Sequence, residues 1–336
     1  MKVRKGEYMA SIEKTNFSLP NQKGELYRGK VGDVYTVDHE GEDLLVLVRT
    51  DRISAFDRVL SQNIPYKGQV LNQISAELLT ATRETAPNWF ITSPDPNVSI
   101  GRKANPFKLE VIVRSALLGS SWVAYKDGMR ELGGVSLDDD MTEFQSFDTP
   151  LVTPTTKAEV GHDESITPKE IVEQGLASES EYAHMSQLAL DLFAKGQAMA
   201  QEKGLLLADT KYEFGRLSND EIVLIDEVHT PDSSRYFPTT EYDAYVHGNT
   251  NRRPEQMSKE FVREWLTAQG FNGHPGQQVP DMSPKFVHQV SRRYIELYER
   301  VIGKKFEPAA APTEKQRLND IERSIIYALK KIDLSA

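Results

Sequence analysis

At 336 residues, with 39% hydrophobic and 27% charged residues, the chain has the composition of an ordinary globular protein of about two domains. A formal net charge of −10 argues against a general nucleic-acid or anionic-membrane binder, while leaving room for local basic pockets. The absence of cysteine excludes disulfides, thiolate chemistry and cysteine-ligated zinc, and fits a cytoplasmic protein.

The opening Met1-Lys-Val-Arg-Lys-Gly-Glu-Tyr8 has no apolar run of signal-peptide type, and no stretch approaches the ~18 apolar residues of a membrane helix. Residues 1–24 are polar and read as an irregular lead-in. In Leu26-Tyr-Arg-Gly-Lys-Val-Gly-Asp-Val-Tyr-Thr-Val37, two β-prone runs surround Gly29 and Gly32, which predicts a strand–turn–strand. Glycines there let backbone N–H groups approach a phosphate, with Lys30 as a point charge; a plain hairpin is the simpler reading. The pattern is neither a Walker loop nor a full G-x-G-x-x-G. Leu44-Leu-Val-Leu-Val-Arg-Thr50 predicts a buried strand, and Asp51-Arg-Ile-Ser-Ala-Phe-Asp57 at its end suits either a ligand loop or a surface turn. A stripe of Val70, Leu71, Ile74, Leu78 and Leu79 predicts a helix over 68–83. Residues 93–106, with Pro94, Pro96 and Pro106, read as a link and a domain boundary.

Leu109 to Ser115 predicts a strand with Glu110 and Arg114 on one face. Arg114 with the Gly119-Ser120-Ser121 turn suits an anion; equally, Arg114 pairs with Glu110 or another carboxylate. Residues 126–165 lack apolar periodicity and read as a long surface loop, within which His162 and Asp163 form no metal motif by themselves. Thr167-Pro-Lys-Glu170 is a capping box opening a short helix. Ser178 caps a long helix to about Lys203, with Met185 and Met199 as core fillers.

Leu205 to Gly215 and Ile222 to Val228, linked through Ser218-Asn219-Asp220, predict a β-hairpin. The period of two puts Asp209, Lys211 and Glu213 on one face, and Asp226 and Glu227 follow the second apolar run. Carboxylates on rigid strands beside a lysine suit a Mg²⁺–phosphate site; an edge hairpin with i, i+2 ion pairs is the plainer alternative. Residues 228–237 read as a donor-rich loop, and 238–257 as irregular. Helices are predicted over 259–269, 284–302 and 314–332.

Seven segments, in order, carry a resemblance. They are Tyr27-Arg-Gly-Lys-Val-Gly-Asp-Val-Tyr35; Asp51 to Asp57; Glu110-Val-Ile-Val-Arg114 with Gly119 to Trp122; Thr153-Pro-Thr-Thr-Lys-Ala-Glu159 with His162-Asp-Glu164; Ala208-Asp-Thr-Lys-Tyr-Glu-Phe-Gly215; Asp226-Glu-Val-His-Thr-Pro-Asp-Ser-Ser-Arg235; and Lys259-Glu-Phe-Val-Arg-Glu-Trp265. Together they resemble the phosphoribosylaminoimidazole-succinocarboxamide synthase (SAICAR synthetase) family over about residues 25–300, in its longer, fungal-type form. The resemblance implies an α+β / α/β two-domain fold related to kinases and ATP-grasp proteins, with an antiparallel N-terminal sheet domain, a larger α/β domain, and ATP in the cleft between them. The expected divisions are 1–105, 106–257 and 258–336, the last being helices packed on the central part.

The resemblance also implies the reaction: ATP, the carboxyaminoimidazole ribotide (CAIR) and L-aspartate give SAICAR, ADP and phosphate through an acyl phosphate. It places Gly29, Lys30 and Val31 on the ATP phosphates and the segment leading into Glu110 beside adenine. Arg114, Ser120 and Arg235 would take the ribotide phosphate. Lys211, Asp209 and Asp163 would form the catalytic group, with Glu213 and Asp226 on Mg²⁺. Ser54, Asp57, Lys157, Asp163, Lys259 and Arg263 would line the CAIR and aspartate side. Gly32 departs from the basic residue common in the family, so one phosphate-side charge is absent or comes from elsewhere. No nucleic acid, membrane or obligate protein partner is expected. The rival readings are a small-molecule kinase (of an inositol phosphate or sugar), separated by its independence of aspartate, and a nucleotide-sensing module, which would bind ATP without turnover.

Overall fold

A computed structural model describes residues 11–157, 163–309 and 311–334. In chain order, β1 (Gln22–Arg28), β2 (Gly32–His39), β3 (Glu42–Arg49), β4 (Ser54–Ala55) and β5 (Arg58–Val59) precede α1 (Lys67–Ala81), β6 (Phe90–Asp95) and β7 (Val98–Arg102). Next come β8 (Asn105–Ala116), α2 (Ser120–Lys126), β9 (Glu131–Leu132), β10 (Val135–Ser136), β11 (Ser146–Thr156), α3 (Pro168–Glu173) and α4 (Glu179–Gln201). Then follow β12 (Leu205–Arg216), β13 (Ile222–Ile225), β14 (Ser234–Pro238), α5 (Thr239–Val246), α6 (Glu260–Ala268), α7 (Pro284–Ile302) and α8 (Glu314–Leu329).

The described residues cluster into two compact units, neither continuous in sequence. One comprises Met1–Ala76, Phe90–Lys103 and Phe261–Ala336; the other comprises Glu77–Trp89 and Ala104–Glu260. This differs from the expected division at 105 and 257. The C-terminal helices cluster with the N-terminal sheet and not with the central part.

The first unit is built on an antiparallel sheet of order β1-β2-β3-β7-β6. Leu44, Val46 and Val48 alternate inward on β3, where Val98 and Ile100 of β7 and Ile321, Ile325 and Leu329 of α8 join them in one core cluster. A buried ion pair between Arg317 and Asp95 also ties α8 to this unit. Residues 93–106, whose Pro and Gly content predicts a link, contain most of the β6-β7 hairpin instead. Pro94 is tolerated because β6 is the edge strand and needs no donor on its outer side.

The second unit is built on a sheet of order β11-β8-β12-β13, with β14 also on β12. One face of β8 and β12 is apolar, from Val111, Val113, Ala208, Tyr212 and Phe214, all buried. Helix α4 packs on these two strands with Met185, Leu188, Ala189, Leu192 and Phe193 buried. Its predicted capping box is present, as is that of α3: Ser178 with Glu181, and Thr167 with Glu170. The 126–165 stretch is not one long loop, because it holds β11, an edge strand that accommodates Pro150 and Pro154. Residues 228–237 end in β14 instead of remaining a loop, and 238–257 contain α5. The N-cap of α5 is Pro238, which makes no side-chain cap bond, so the usual sequence signal for a helix start is missing.

Candidate active site

Strand β12 is interior to its sheet, so the reading of an exposed edge hairpin does not hold, although an i, i+2 pair is present. Its polar face continues across β8, because the antiparallel register sets Glu213 opposite Glu110 and Asp209 opposite Arg114. Two buried carboxylates facing each other repel, and Lys211, bonded to both, makes the arrangement tenable. Lys211 donates to Glu110 and, at 2.9 Å, to Glu213. Lys157, after β11, donates to the other Glu213 oxygen. Thr155 of β11 donates to the second Glu110 oxygen at 3.3 Å.

The charges respond to this packing. Burial pushes the Glu110 carboxyl above its ordinary range against the pull of Lys211, and Glu213 and Asp163 add to the rise. Burial also opposes ionisation of Glu213, but Lys211 and Lys157 outweigh it and hold its pKa down to about 2. The ammonium groups show the converse. Burial disfavours the charged form of Lys211, yet Glu213 and Glu110 raise its pKa well above the ordinary value. Lys157 is raised in the same way, with Glu213 and Asp226 outweighing burial. The cluster is a set of mutually neutralising ions held by three strands and the residue that follows β11.

The other end of β12 is built differently. Asp209 accepts from Arg114 at 3.0 Å and from Arg235 at 2.5 Å, so it lies with the arginines and not in the lysine cluster. Arg114 also donates to Thr153 at 3.0 Å, and Arg235 to Glu260 at 3.3 Å. Arg114 is therefore paired with a carboxylate, though not with Glu110. Burial lowers the Arg114 pKa against the pull of Asp209; for Arg235, Asp209 and Glu260 more than offset burial. Gly119 has φ 60, and a Cβ there would stand 2.6 Å from the Arg235 guanidinium, so only glycine lets the arginine lie against this turn. Ser120, the next residue, is exposed. Arg114 and Arg235 thus share Asp209, and the Gly119 turn that leads into Ser120 lies against Arg235.

Asp226 follows β13 directly, beside Ile225, the partner of Glu213. Its backbone has φ 63, and its carbonyl accepts from the Trp89 indole at 3.1 Å. Asp163 is exposed and raises the pKa of Glu110, which sets it near the lysine–carboxylate cluster. Residues 158–162, including Glu159 and His162 of the quoted motif, lie outside the described residues. Lys259 is 3.5 Å from Asp232 in the same unit.

The remaining expected site residues belong to the first unit. Gly29, Lys30 and Val31 form the β1–β2 turn, closed by Gly29 N–H donating to the Gly32 carbonyl at 2.9 Å. Lys30 reaches Asp57 at 2.6 Å. Ser54 is buried on β4, and Arg263 is half-buried on α6. The turn is braced by Arg52, a residue the sequence reading does not single out. Its guanidinium donates to the carbonyls of Gly29, Lys30 and Gly32 at 2.8, 3.2 and 3.1 Å and to Asp33 at 2.8 Å. Its place inside the Asp51 to Asp57 motif was the available signal. Thr153 and Thr155, alternate residues of β11, are likewise visible only once β11 is known to be a strand.

The donor set fits a magnesium ion. Mg²⁺ is usually held through one or two carboxylates together with substrate phosphates. Glu213 remains ionised, and Asp226 follows the residue paired with it. Both Glu213 oxygens accept from lysines in this structure, so a cation there requires one lysine to yield its bond.

Residues 25–278 match the family model described as SAICAR synthetase. A phosphoribosylaminoimidazole-succinocarboxamide synthase of Bacteroides fragilis is 50% identical over 325 residues, covering 96% of this chain and 100% of that protein. The chloroplastic enzyme of Arabidopsis thaliana is 39% identical, over 98% of this chain and 80% of that one. Among solved structures, the SAICAR synthase of Saccharomyces cerevisiae complexed with SAICAR has a TM-score of 0.73 at 33% identity, covering 89% of this chain and 100% of that one. A SAICAR synthetase in complex with ADP shares the fold, with a TM-score of 0.64 at 23% identity over 84% of this chain and 100% of that one.

Proposed function

The chain belongs to the SAICAR synthetase family, and on that premise we propose how its residues carry out the ATP-dependent formation of SAICAR in purine biosynthesis. The observation that carries the reading is the polar face of β12, with lysine–carboxylate pairs at one end and two arginines at the other. A carboxylate is a poor electrophile until one of its oxygens becomes a leaving group. The CAIR carboxylate oxygen therefore takes the γ-phosphoryl group of ATP, releasing ADP. The aspartate amine, once neutral, attacks the acyl carbon; the C–O bond to phosphate breaks and the amide forms.

Phosphoryl transfer requires mainly positioning and charge neutralisation. Lys211 and Lys157 supply cations at the lysine end, and Gly29, Lys30 and Val31 are proposed to take ATP phosphates through backbone donors and one ammonium. Glu213 and Asp226 would hold magnesium, which supplies Lewis-acid neutralisation of phosphate charge when bound. Arg114 and Arg235, fixed by Asp209, are proposed to grip the ribotide phosphate with Ser120. Ser54, Asp57, Asp163, Lys259 and Arg263 are proposed on the CAIR and aspartate side. No helix among the described residues is long and apolar enough to cross a membrane. A cytoplasmic location belongs to the proposal.

The test is a coupled assay with CAIR, L-aspartate and ATP, omitting each in turn, using CAIR labelled with ¹⁸O in its carboxylate. The reading expects turnover only with all three present, and one labelled oxygen in each phosphate released. Full ADP release without aspartate would point to a kinase instead.

A further inference from the structure

Gly196 stands inside the 23-residue helix α4, where glycine is among the poorest helix formers. Its neighbour explains it. A Cβ on Gly196 would stand 2.3 Å from Cε1 of His229 and 2.8 Å from each ring nitrogen, so the imidazole fills the space a side chain would take. His229 is buried, and its Nε2 lies 2.7 Å from the Tyr212 hydroxyl. Nδ1 is buried with no partner among the described residues. Protonation would add a buried charge there, and burial alone lowers the imidazole pKa to about 3, so the ring is neutral.

Tyr212 lies between Lys211 and Glu213 on β12 but points to the opposite, α4-covered face. Strands β13 and β14 pair with the two halves of β12: Glu213 to Arg216 with β13, Leu205 to Thr210 with β14. Strand β8 pairs with β12 from Asp209 to Arg216, opposite all of β13 and overlapping the β14 stretch at Asp209 and Thr210, so β13 and β14 share the other edge. Residues 226–233 must therefore loop out opposite only Lys211 and Tyr212. The loop carries Asp226 at its start and delivers Arg235 just past its end. Its backbone enters the left-handed region at Asp226 and at His229, with φ 63 and 53, conformations that persist in non-glycine residues only where the surroundings hold them. The His229 carbonyl is held by the Tyr236 hydroxyl at 2.9 Å. The Lys211 N–H donates to the Ser233 carbonyl at 3.0 Å.

We propose that His229 is a positioning residue: seated against Gly196 and bonded to Tyr212 on the hidden face of the sheet, it locks the 226–233 loop and so sets Asp226 and Arg235 on the working face. This rests on the roles proposed above for those two residues. The coupling runs through the thickness of the sheet, from a helix glycine to the groups that would handle magnesium and the ribotide phosphate.

The experiment compares Tyr212→Phe, Gly196→Ala, His229→Asn and the Gly196→Ala/His229→Asn double variant with the wild type. Asparagine is smaller than histidine and tolerates a positive φ. Two readouts are taken: ligand-free amide hydrogen exchange of a peptide spanning 226–235, and kcat with KM for CAIR and for ATP. Small misplacements of reacting groups cost up to about a hundredfold, so kcat/KM for CAIR should fall by about tenfold to a hundredfold in Tyr212→Phe and in Gly196→Ala. Loop exchange should quicken by about tenfold or more in both, while peptides from α4 keep wild-type protection. Adding Gly196→Ala to His229→Asn should change each readout by less than about twofold, because the ring it collides with is gone. Wild-type loop exchange in both Tyr212→Phe and Gly196→Ala overturns the proposal, as does full additivity in the double variant. A wild-type protein inactive with CAIR, aspartate and ATP would overturn the proposed reaction, and the exchange data would still decide the latch.

Discussion

The two ends of β12 present the same face of the same strand and carry opposite devices. Around Lys211 and Glu213, cations and carboxylates alternate closely, and each ion neutralises its neighbours. Around Asp209, two guanidinium groups share one carboxylate, with Glu260 behind the second. Residues 209 and 213 are four apart on a strand, about 13 Å by its rise, so a ligand with two charged ends can be held at two separate points. The difference shows how one rigid element can separate chemistry from anchorage. Lysines are mobile point charges suited to a group whose charge changes during reaction, whereas guanidinium forks suit a phosphate that only has to be held.

The largest expected effect comes from removing the cation at the centre of the first device. Lys211→Met leaves Glu110 and Glu213 buried and opposed, with Lys157 still bonded to Glu213 and Thr155 to Glu110. Breaking one side of a buried ion pair costs about 3 kcal/mol or more, and turnover should be abolished as well. Urea unfolding and the assay would show both losses, and an active, equally stable variant would break the comparison at its stronger end.

Glu213→Gln should lower turnover about a hundredfold, corresponding to about 3 kcal/mol of transition-state stabilisation, while the fold survives. Its acid behaviour carries a sign. The folded Glu213 pKa lies below its ordinary 4.5, so its ionisation stabilises the folded state above that value, and this contribution fades as pH falls from 4.5 to about 2. Glu213→Gln should therefore lose less stability than the wild type across that window, as measured by urea unfolding at stepped pH. Identical acid profiles would mean that the lysines do not hold Glu213 ionised.

A smaller effect is expected in the glycine hairpin. Lys30 is half-exposed and paired with Asp57, and exposed pairs contribute about 1 kcal/mol or less to stability. Lys30→Ala should leave thermal stability unchanged and raise KM for ATP by about tenfold, the loss of one charge-assisted bond. An unchanged KM for ATP would remove the hairpin from the nucleotide site.

Parts of this architecture are legible residue by residue. The apolar run of β3, the stripe of α1, the capping boxes of α3 and α4, and the alternation of Asp209, Lys211 and Glu213 are local patterns that the fold keeps. Of the strands read as links or loops, β6, β7 and β11 hold Pro94, Pro150 and Pro154 or lie beside them, and prolines argue against strands until the edge position is known. Helix α8 shows its apolar stripe, yet amphipathicity says that a face is buried without saying against what, so its union with β3 and β7 is a fact of the fold alone. Within the site, one strand's alternation identifies its polar face. The opposition of Glu110 to Glu213 depends on register between strands nearly a hundred residues apart in sequence. Arg52 is missed for a related reason, because it acts through backbone carbonyls that no linear pattern marks; His229 stands in the donor-rich loop of the sequence, but its burial against Gly196 on the hidden face does not show there.

The most direct test of the separation along β12 is a pair of saturation curves, for CAIR and for ATP, on Arg235→Ala with the other substrates saturating. A charge-assisted bond contributes roughly 1.5–3 kcal/mol, and a phosphate remote from the reacting carboxylate is bound alike in ground and transition states. KM for CAIR should rise by about tenfold to a hundredfold, with kcat and KM for ATP within a few-fold of wild type. A rise in KM for ATP with KM for CAIR unchanged would put the nucleotide at the arginine end and contradict the account.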